Sequence, residues 1–232
     1  MSQRITPPWG RHYPPYQITA LVRLLQRKDV PAGAVLAGTG LDAAALDDVA
    51  CRTSVLQHLA VWRNALALGA VPGLSFELGR GLHLPDHGTY GLMLLSCESV
   101  DDYFRRAETY QGLVANALAL EARIDGGDAL WVLGDGGDRE LPDGLRIFVL
   151  EQQFAQLVTQ LHDLLGPEVR PTLARFAYPA PAHRAMYAEQ LQCPCVFGWH
   201  RNELHLGGEV LSMRPRLANA FTAAVLQSAC EG

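Results

Sequence analysis

The chain has 232 residues, 49% of them hydrophobic and 19% charged, with a formal net charge of −5 and a pI of about 5.9. This is the composition of an ordinary globular chain, long enough for one sizeable core. Its acidic balance, with Lys28 as its one lysine and no basic run, argues against nucleic-acid binding by the chain itself.

The first 17 residues form a Pro/aromatic arm, with Pro7, Pro8, Pro14 and Pro15 among Trp9, Tyr13 and Tyr16. Proline fixes φ and removes donors, so an extended segment is expected, either loose or packed on the body or a partner. Ile18, Leu21, Val22 and Leu25 follow a helical period that Pro31 and Gly33 end. A short helix is expected at Asp42–Asp48, a longer one from Thr53 to Leu68 with Val55, Leu59, Trp62 and Leu66 on one stripe, and another at Leu74–Gly81. Residues 18–85 therefore read as a helical layer.

From residue 86 to 216 the pattern is mixed. Tyr90–Ser96 is an apolar run that suits either a buried strand or a helix. Ser99 and Asp102 resemble a capping box opening a helix with Val100, Phe104, Ala107 and Tyr110 inward. Leu118, Leu120, Ala122 and Ile124 alternate as in a strand, and Asp125-Gly126-Gly127-Asp128 turns it into a hairpin with Ala129–Leu133. A Gly/Asp-rich loop, Gly134–Gly144, leads to the longest helix, whose inward face is Ile147, Leu150, Phe154, Leu157, Val158, Leu161 and Leu165. Thr172–Tyr178 reads as a strand, His183–Leu191 as a short helix, and Pro194–Trp199 with Asn202–Leu206 as a last hairpin. Leu217, Phe221, Ala224 and Val225 suggest a final amphipathic helix over residues 217–232. The expected class is α+β, a helical layer packed on an antiparallel sheet with further helices.

Reactive motifs are weak throughout. Gly38-Thr39-Gly40 mimics part of a dinucleotide fingerprint, but no adequate strand precedes it, and the position about 20 residues on holds His58, which fits an inter-helix turn better. Cys193-Pro194-Cys195 has thiols too close in sequence for the usual zinc spacing and reads as a turn entering a strand. His83 and His87 flank Pro85 in a loop; His200 and His205 read as surface residues beside Asn202 and Glu203; Asp135 and Asp138 lack calcium-loop spacing. The five cysteines, an odd and scattered set, fit free and mostly buried thiols in a reducing compartment. No signal peptide or roughly 20-residue membrane span is expected, so the cytoplasm is the expected location. Neither a cofactor, a metal nor an enzymatic activity is expected.

Apolar side chains carry more information as a group. Trp62, Phe76, Tyr90, Phe104, Trp131, Phe154 and Phe176 fall on inward faces. Each alone is ordinary core, but helices over a sheet can leave an apolar pocket between them. Arg80, His83 and Arg175 are the polar groups expected to orient a ligand there. The aromatic lining suggests an apolar or amphipathic small molecule.

Two stretches carry a family resemblance. One is Gly73-Leu74-Ser75-Phe76-Glu77-Leu78-Gly79-Arg80-Gly81-Leu82-His83-Leu84, continuing through Asp86-His87-Gly88 and Gly91–Ser96 into Ser99-Val100. The other is Phe176-Ala177-Tyr178-Pro179-Ala180-Pro181, then Tyr187, Cys193-Pro194, Val196-Phe197-Gly198 and Arg201-Asn202-Glu203-Leu204. In order and spacing, from about Ile18 to Leu217, they resemble the N-terminal regulatory ("arabinose-binding") domain of AraC/XylS-type transcription regulators in the ornithine- and virulence-regulator group. The resemblance implies effector sensing, homodimerisation, and control of a helix-turn-helix DNA-binding domain that these 232 residues do not contain. Contact with DNA is then expected only through that domain, and none with a membrane. An alternative is a stand-alone interaction module acting on a full-length regulator. Any effector must act by binding two states of the protein with different affinity.

Overall fold

Local signals place the first helices. In the computed structural model, which describes residues 10–69, 72–134 and 141–231, α1 spans Tyr16–Gln26, α2 Ala32–Val35, α3 Val55–Ala67 and α4 Leu74–Arg80. Pro7, Pro8 and Trp9 of the arm, and Asp135 and Asp138 of the Gly/Asp loop, lie outside those residues. Ser54 starts α3 with a capping box: its hydroxyl accepts from the Gln57 amide while the Gln57 side chain accepts from the Ser54 amide. The segment before α1 packs on the body, since Tyr13 is buried and pairs with Thr53 through backbone bonds of 2.7 and 3.1 Å. The expected helix at 42–48 is a single 3₁₀ turn, Ala45–Asp47. Gly38 and Gly40, both at φ 71°, turn the chain between α2 and that segment, as an inter-helix turn should.

The ambiguous run at 90–96 is helical: α5 spans Gly88–Leu95, followed by α6, Val100–Tyr110, with Ser99 capping the Asp102 amide. The hairpin forms as β1 (Leu120–Asp125) and β2 (Asp128–Leu133), with Gly126 and Gly127 at φ 60° and 95° supplying the left-handed turn. After α7 (Asp143–Leu165) come β3 (Leu173–Phe176), α8 (Tyr187–Leu191), β4 (Cys195–Phe197), β5 (Asn202–Leu206) and α9 (Ala220–Glu231). These described strands form one sheet in the order β1-β2-β5-β3-β4.

The last hairpin does not form. β3 lies between β4 and β5, pairing parallel with β4 and antiparallel with β5, so the sheet is mixed. Residues 198–201, which include Gly198 at φ 73°, carry the chain past β3 instead of folding β5 back on β4. The protein is α+β as expected, mostly antiparallel in its sheet.

The layers follow from the contacts. α4 packs along α7 more extensively than any other helix pair, and α1 and α3 join it, forming the N-terminal helical layer. On α7's other side Phe154 meets Phe176 of β3, with ring centroids 4.7 Å apart, and Phe104 of α6 stacks on Trp131 of β2 at 4.3 Å. Thus α7 is sandwiched, and every residue from Phe148 to Leu161 is buried. Gly79 makes the close approach possible. A β-carbon there would sit 2.2 Å from the Gln152 carbonyl oxygen and 2.7 Å from the Ala155 methyl.

Two surface expectations fail. α9 forms, but the stripe Leu217, Phe221 and Val225 is exposed (64, 80 and 52%), and the helix sits against α5 through Ala223, Leu226 and Cys230. His205 is buried at the centre of the sheet, because β5 is flanked by strands on both sides. Of the free cysteines, Cys97 and Cys193 are buried and Cys51, Cys195 and Cys230 are half-buried; Cys195 opens β4, so Cys193-Pro194-Cys195 is a strand entry.

Candidate functional site

α7 carries its chemistry on the side facing the helical layer. Its central stretch holds one charged residue, Glu151, beside Gln152, Gln153, Gln156, Thr159 and Gln160, all buried. Buried polar groups must find partners or cost stability; Thr159 bonds the Ala155 carbonyl of its own helix, while Glu151 anchors one cluster and Gln152, Gln156 and Gln160 belong to a second.

The first gathers around the Glu151 carboxylate. Ser75 Oγ of α4 donates to Oε2 at 2.5 Å; His183 Nε2 donates to Oε1 at 2.6 Å; the Tyr187 hydroxyl donates to Oε1 as well. Tyr178 lies 3.1 Å from the Tyr187 hydroxyl and completes the chain. Burial pushes the phenols of Tyr178 and Tyr187 far above their ordinary pKa, so both remain hydrogen-bonding phenols. Phe76 and Phe176 close on Tyr187 with centroids at 4.9 and 5.1 Å. The set contains a serine, a histidine and a carboxylate, yet the serine donates to the carboxylate and is itself buried. The carboxylate that accepts its hydrogen bond is shared with His183 and Tyr187, so the arrangement is that of a buried structural node rather than an accessible nucleophile. The cluster ties α4, α7 and the 183–187 segment to one charge.

The second cluster centres on His87. Gln160 donates to its Nε2 at 2.9 Å and Gln156 at 3.3 Å, while Gln152 donates to Gln156 Oε1 at 2.7 Å. With Nε2 accepting, the ring proton is on Nδ1, which donates to the Tyr16 hydroxyl oxygen at 2.9 Å. Burial holds His87 down at about 4, slightly offset by Asp163, so the ring is neutral at physiological pH. Tyr16 also accepts from Gln17 Nε2 at 3.0 Å, and burial raises its pKa. Its own proton has no acceptor among the described residues.

Tyr16 lines an open groove of about 510 Å³, within the usual range for small-molecule sites. Pro14, Pro15, Ala20, Leu46, Val49 and Leu82 give it apolar walls, while Thr19, Arg23, Asp47, Asp48 and Asp86 supply polar groups. Arg23 bonds Asp47 at 2.9 Å, so the rim is net acidic.

The expected ligand-lining residues go elsewhere. Phe76, Phe154, Phe176 and Trp62 are packed core, Trp62 against His58 at 5.4 Å. Tyr90 is buried, its hydroxyl donating to the Ala107 carbonyl. Phe104 and Trp131 are stacked, and Phe104 also lines a groove of about 330 Å³ beside α6 and β1. The three polar residues do not converge: Arg80 is exposed at the end of α4, His83 bonds Asp163 at 2.8 Å, and Arg175 lies on the far face of the sheet. There Arg175, with Arg201 and His205, surrounds the buried Glu203 at 2.7–3.2 Å, and stacks over Trp199 at 4.4 Å. Burial works to raise the Glu203 pKa, but these partners outweigh it and hold the carboxyl below its ordinary value.

Glu151, Gln156, Gln160 and His87 were missed. One signal was available: a long helix whose non-aliphatic side is Gln and Thr, with a single charge between Ile147 and Leu161, lacks the Lys/Arg/Asp expected of a solvent face.

Comparison with known proteins bears on what this arrangement serves. Residues 30–215 match the family model described as the arabinose-binding domain of AraC transcription regulators, N-terminal. The ornithine utilization regulator of Pseudomonas aeruginosa is 28% identical over 213 residues, which are 91% of this chain and 62% of that protein. An uncharacterised HTH-type transcriptional regulator of Mycobacterium tuberculosis is 25% identical over 189 residues, 81% of this chain and 53% of the other. The crystal structure of the transcriptional regulator CdpR from Pseudomonas aeruginosa shares the fold, with a TM-score of 0.71 at 18% identity over 92% of this chain and 62% of that one. The chain thus spans about six tenths of the length of the first of these relatives. Among the described residues no helix is long and apolar enough to cross a membrane, and no group of three or more potential metal ligands occurs.

Proposed function

Because the chain belongs to the family of N-terminal arabinose-binding domains of AraC transcription regulators, we propose that it is an effector-responsive, dimerising receiver without catalysis of its own, which sets the geometry of a separate DNA-binding unit. The effector site in this reading is the groove of about 510 Å³ between α1, residues 46–49 and residues 81–86. One observation carries it. Tyr16 lines the groove, and its hydroxyl, whose proton has no acceptor among the described residues, is the first link of a buried chain through His87 to Gln160, Gln156 and Gln152 of α7.

A ligand oxygen that takes the Tyr16 proton alters a chain ending beside the α4–α7 contact. This supplies the differential affinity for two packings that any effector response requires. The groove's apolar walls and net acidic rim suit a small amphipathic molecule bearing a hydrogen-bond acceptor and a positive group. Transcription-regulator relatives, and a serine–carboxylate–histidine set whose serine and carboxylate are buried in the core, support a sensor over an enzyme.

The test is a thermal-shift screen of amphipathic amines and amino acids, ornithine included, on wild type, Ala20→Trp and Tyr16→Phe. A groove ligand raises Tm with concentration; Ala20→Trp fills the site and abolishes the shift; Tyr16→Phe weakens binding by about tenfold through one lost hydrogen bond. Ligands that bind Ala20→Trp as well as wild type would remove the groove from the account.

A further inference from the structure

The sheet has two edges, and they differ. β4 is three residues long and enters from Pro194, features that blunt an edge. β1 has six residues and no proline. Its free side can be read residue by residue. The Leu120 amide and carbonyl are taken by the Gln111 side chain at 3.0 and 2.9 Å, so Leu120 faces away from β2. The Ala119 carbonyl accepts from Gly134 on the β2 side at 2.9 Å, so odd positions face inward. By alternation, Ala122 and Ile124 turn their N–H and C=O groups outward. No hydrogen bond from another described residue to these outward groups is found. Beside this edge Ile124 is 63% exposed, and with Phe104, Ala122 and Leu211 it lines the groove of about 330 Å³.

We propose that the β1 edge pairs antiparallel with β1 of a second copy, on a two-fold axis through Ile124. This rests on the dimerising role given above and names its surface. Charge admits a second copy as partner, and charge, the occupied Leu120 groups and the apolar groove together choose the register, although Arg123 also bonds Glu121 of its own strand at 2.9 Å. Centring on Ile124 sets Arg123 opposite Asp125 of the copy, twice by symmetry, in a non-hydrogen-bonded pair where side chains approach most closely. Centring on Arg123 would oppose Arg123 to itself and Glu121 to Asp125. Centring on Ala122 would set Arg123 opposite Glu121, an equally matched charge pair, but would oppose Ile124 to Leu120, whose backbone groups Gln111 already occupies, and keep the two Ile124 side chains apart. The Ile124 register exchanges both backbone bonds of a central pair with matched charges, leaves the Gln111–Leu120 bonds intact, and joins the two Ile124 side chains over the apolar groove.

Sedimentation velocity on the 232-residue chain, over a concentration series, tests this. Ile124→Pro removes an amide that β2 does not use, so the hairpin survives, which circular dichroism and an unchanged Tm verify. The dimer dissociation constant rises about tenfold or more, since two symmetric bonds vanish. Arg123→Asp weakens the dimer by about tenfold, and the double variant Arg123→Asp/Asp125→Arg restores it to within about threefold. A chain that is monomeric throughout overturns both this pairing and the dimerising role. A dimer indifferent to all three variants overturns the β1 assignment and leaves the dimerising role standing.

Discussion

Acidification strikes the helical layer through two histidines. His58 is fully buried; its Nε2 donates to Thr53 Oγ1 at 2.8 Å, because the single Thr53 proton goes to the Tyr13 carbonyl at 2.9 Å. Its Nδ1 is buried without a partner, and burial lowers its pKa to about 3. His87 is held at about 4. Both folded pKa values lie below the unfolded value of about 6.5. The unfolded chain therefore binds more protons as pH falls, and stability present above pH 6.5 is lost progressively toward the folded values. Between pH 7 and 5 each ring costs about 2 kcal/mol, and the pair about 4 kcal/mol, at 1.36 kcal/mol per unit. That is a large part of the stability of an ordinary domain. Urea unfolding followed by tryptophan fluorescence, at pH 7, 6, 5.5 and 5, measures it directly. His87→Gln and His58→Gln should each remove about 2 kcal/mol of the pH dependence, beside a further contribution of the same sign from His162, whose pKa burial also lowers. A wild type equally stable at pH 7 and 5, or an unchanged pH slope in the double variant, would refute the assignment of these rings as buried and neutral.

Glu151→Ala leaves Ser75 and Tyr187 without their acceptor and should cost about 3–5 kcal/mol in urea unfolding, while Glu151→Gln, which turns a donor toward donors, costs about 2 kcal/mol or more. Gly79→Ala drives a methyl into the Gln152 carbonyl and should destabilise by about 1–3 kcal/mol, opposite in sign to the same change in an open helix. Phe221→Ser, at an 80% exposed position, should move the unfolding free energy by no more than about 0.5 kcal/mol; a larger loss would mean that the α9 stripe is covered in solution.

Periodicity located α1, α3, α4, α6, α7 and the β1–β2 hairpin because each is a local pattern: one apolar stripe, a cap, or a Gly-Gly turn. α5 stayed ambiguous because an eight-residue run apolar on nearly all sides has no period to read. The β4–β5 pairing was misread for a different reason. Strand order is non-local, and adjacent strands in sequence need not be neighbours when a third, β3, can insert.

The candidate site was the least legible part. An inward-facing aromatic looks the same in sequence whether it lines a pocket or fills one, and here Phe76, Phe154 and Phe176 fill one. Burial of α7 on all sides turned its glutamines from an apparent surface into the network that holds His87. His87 itself was placed in a loop with His83, yet the two point apart: His83 bonds Asp163 at the surface and His87 enters the core. Likewise α9 chose the small side of Ala223 against α5 over the larger Phe221, which alternation of hydrophobicity alone does not reveal.

The most direct measurement is amide hydrogen exchange along α7 with and without the strongest groove-binding compound from the thermal screen. A ligand on Tyr16 that tightens the His87–Gln160–Gln156 chain slows exchange at Gln152–Gln160, residues it does not touch. Protection confined to residues 14–23, 46–49 and 81–86, with α7 unaltered, would contradict the claim that the groove communicates with the core.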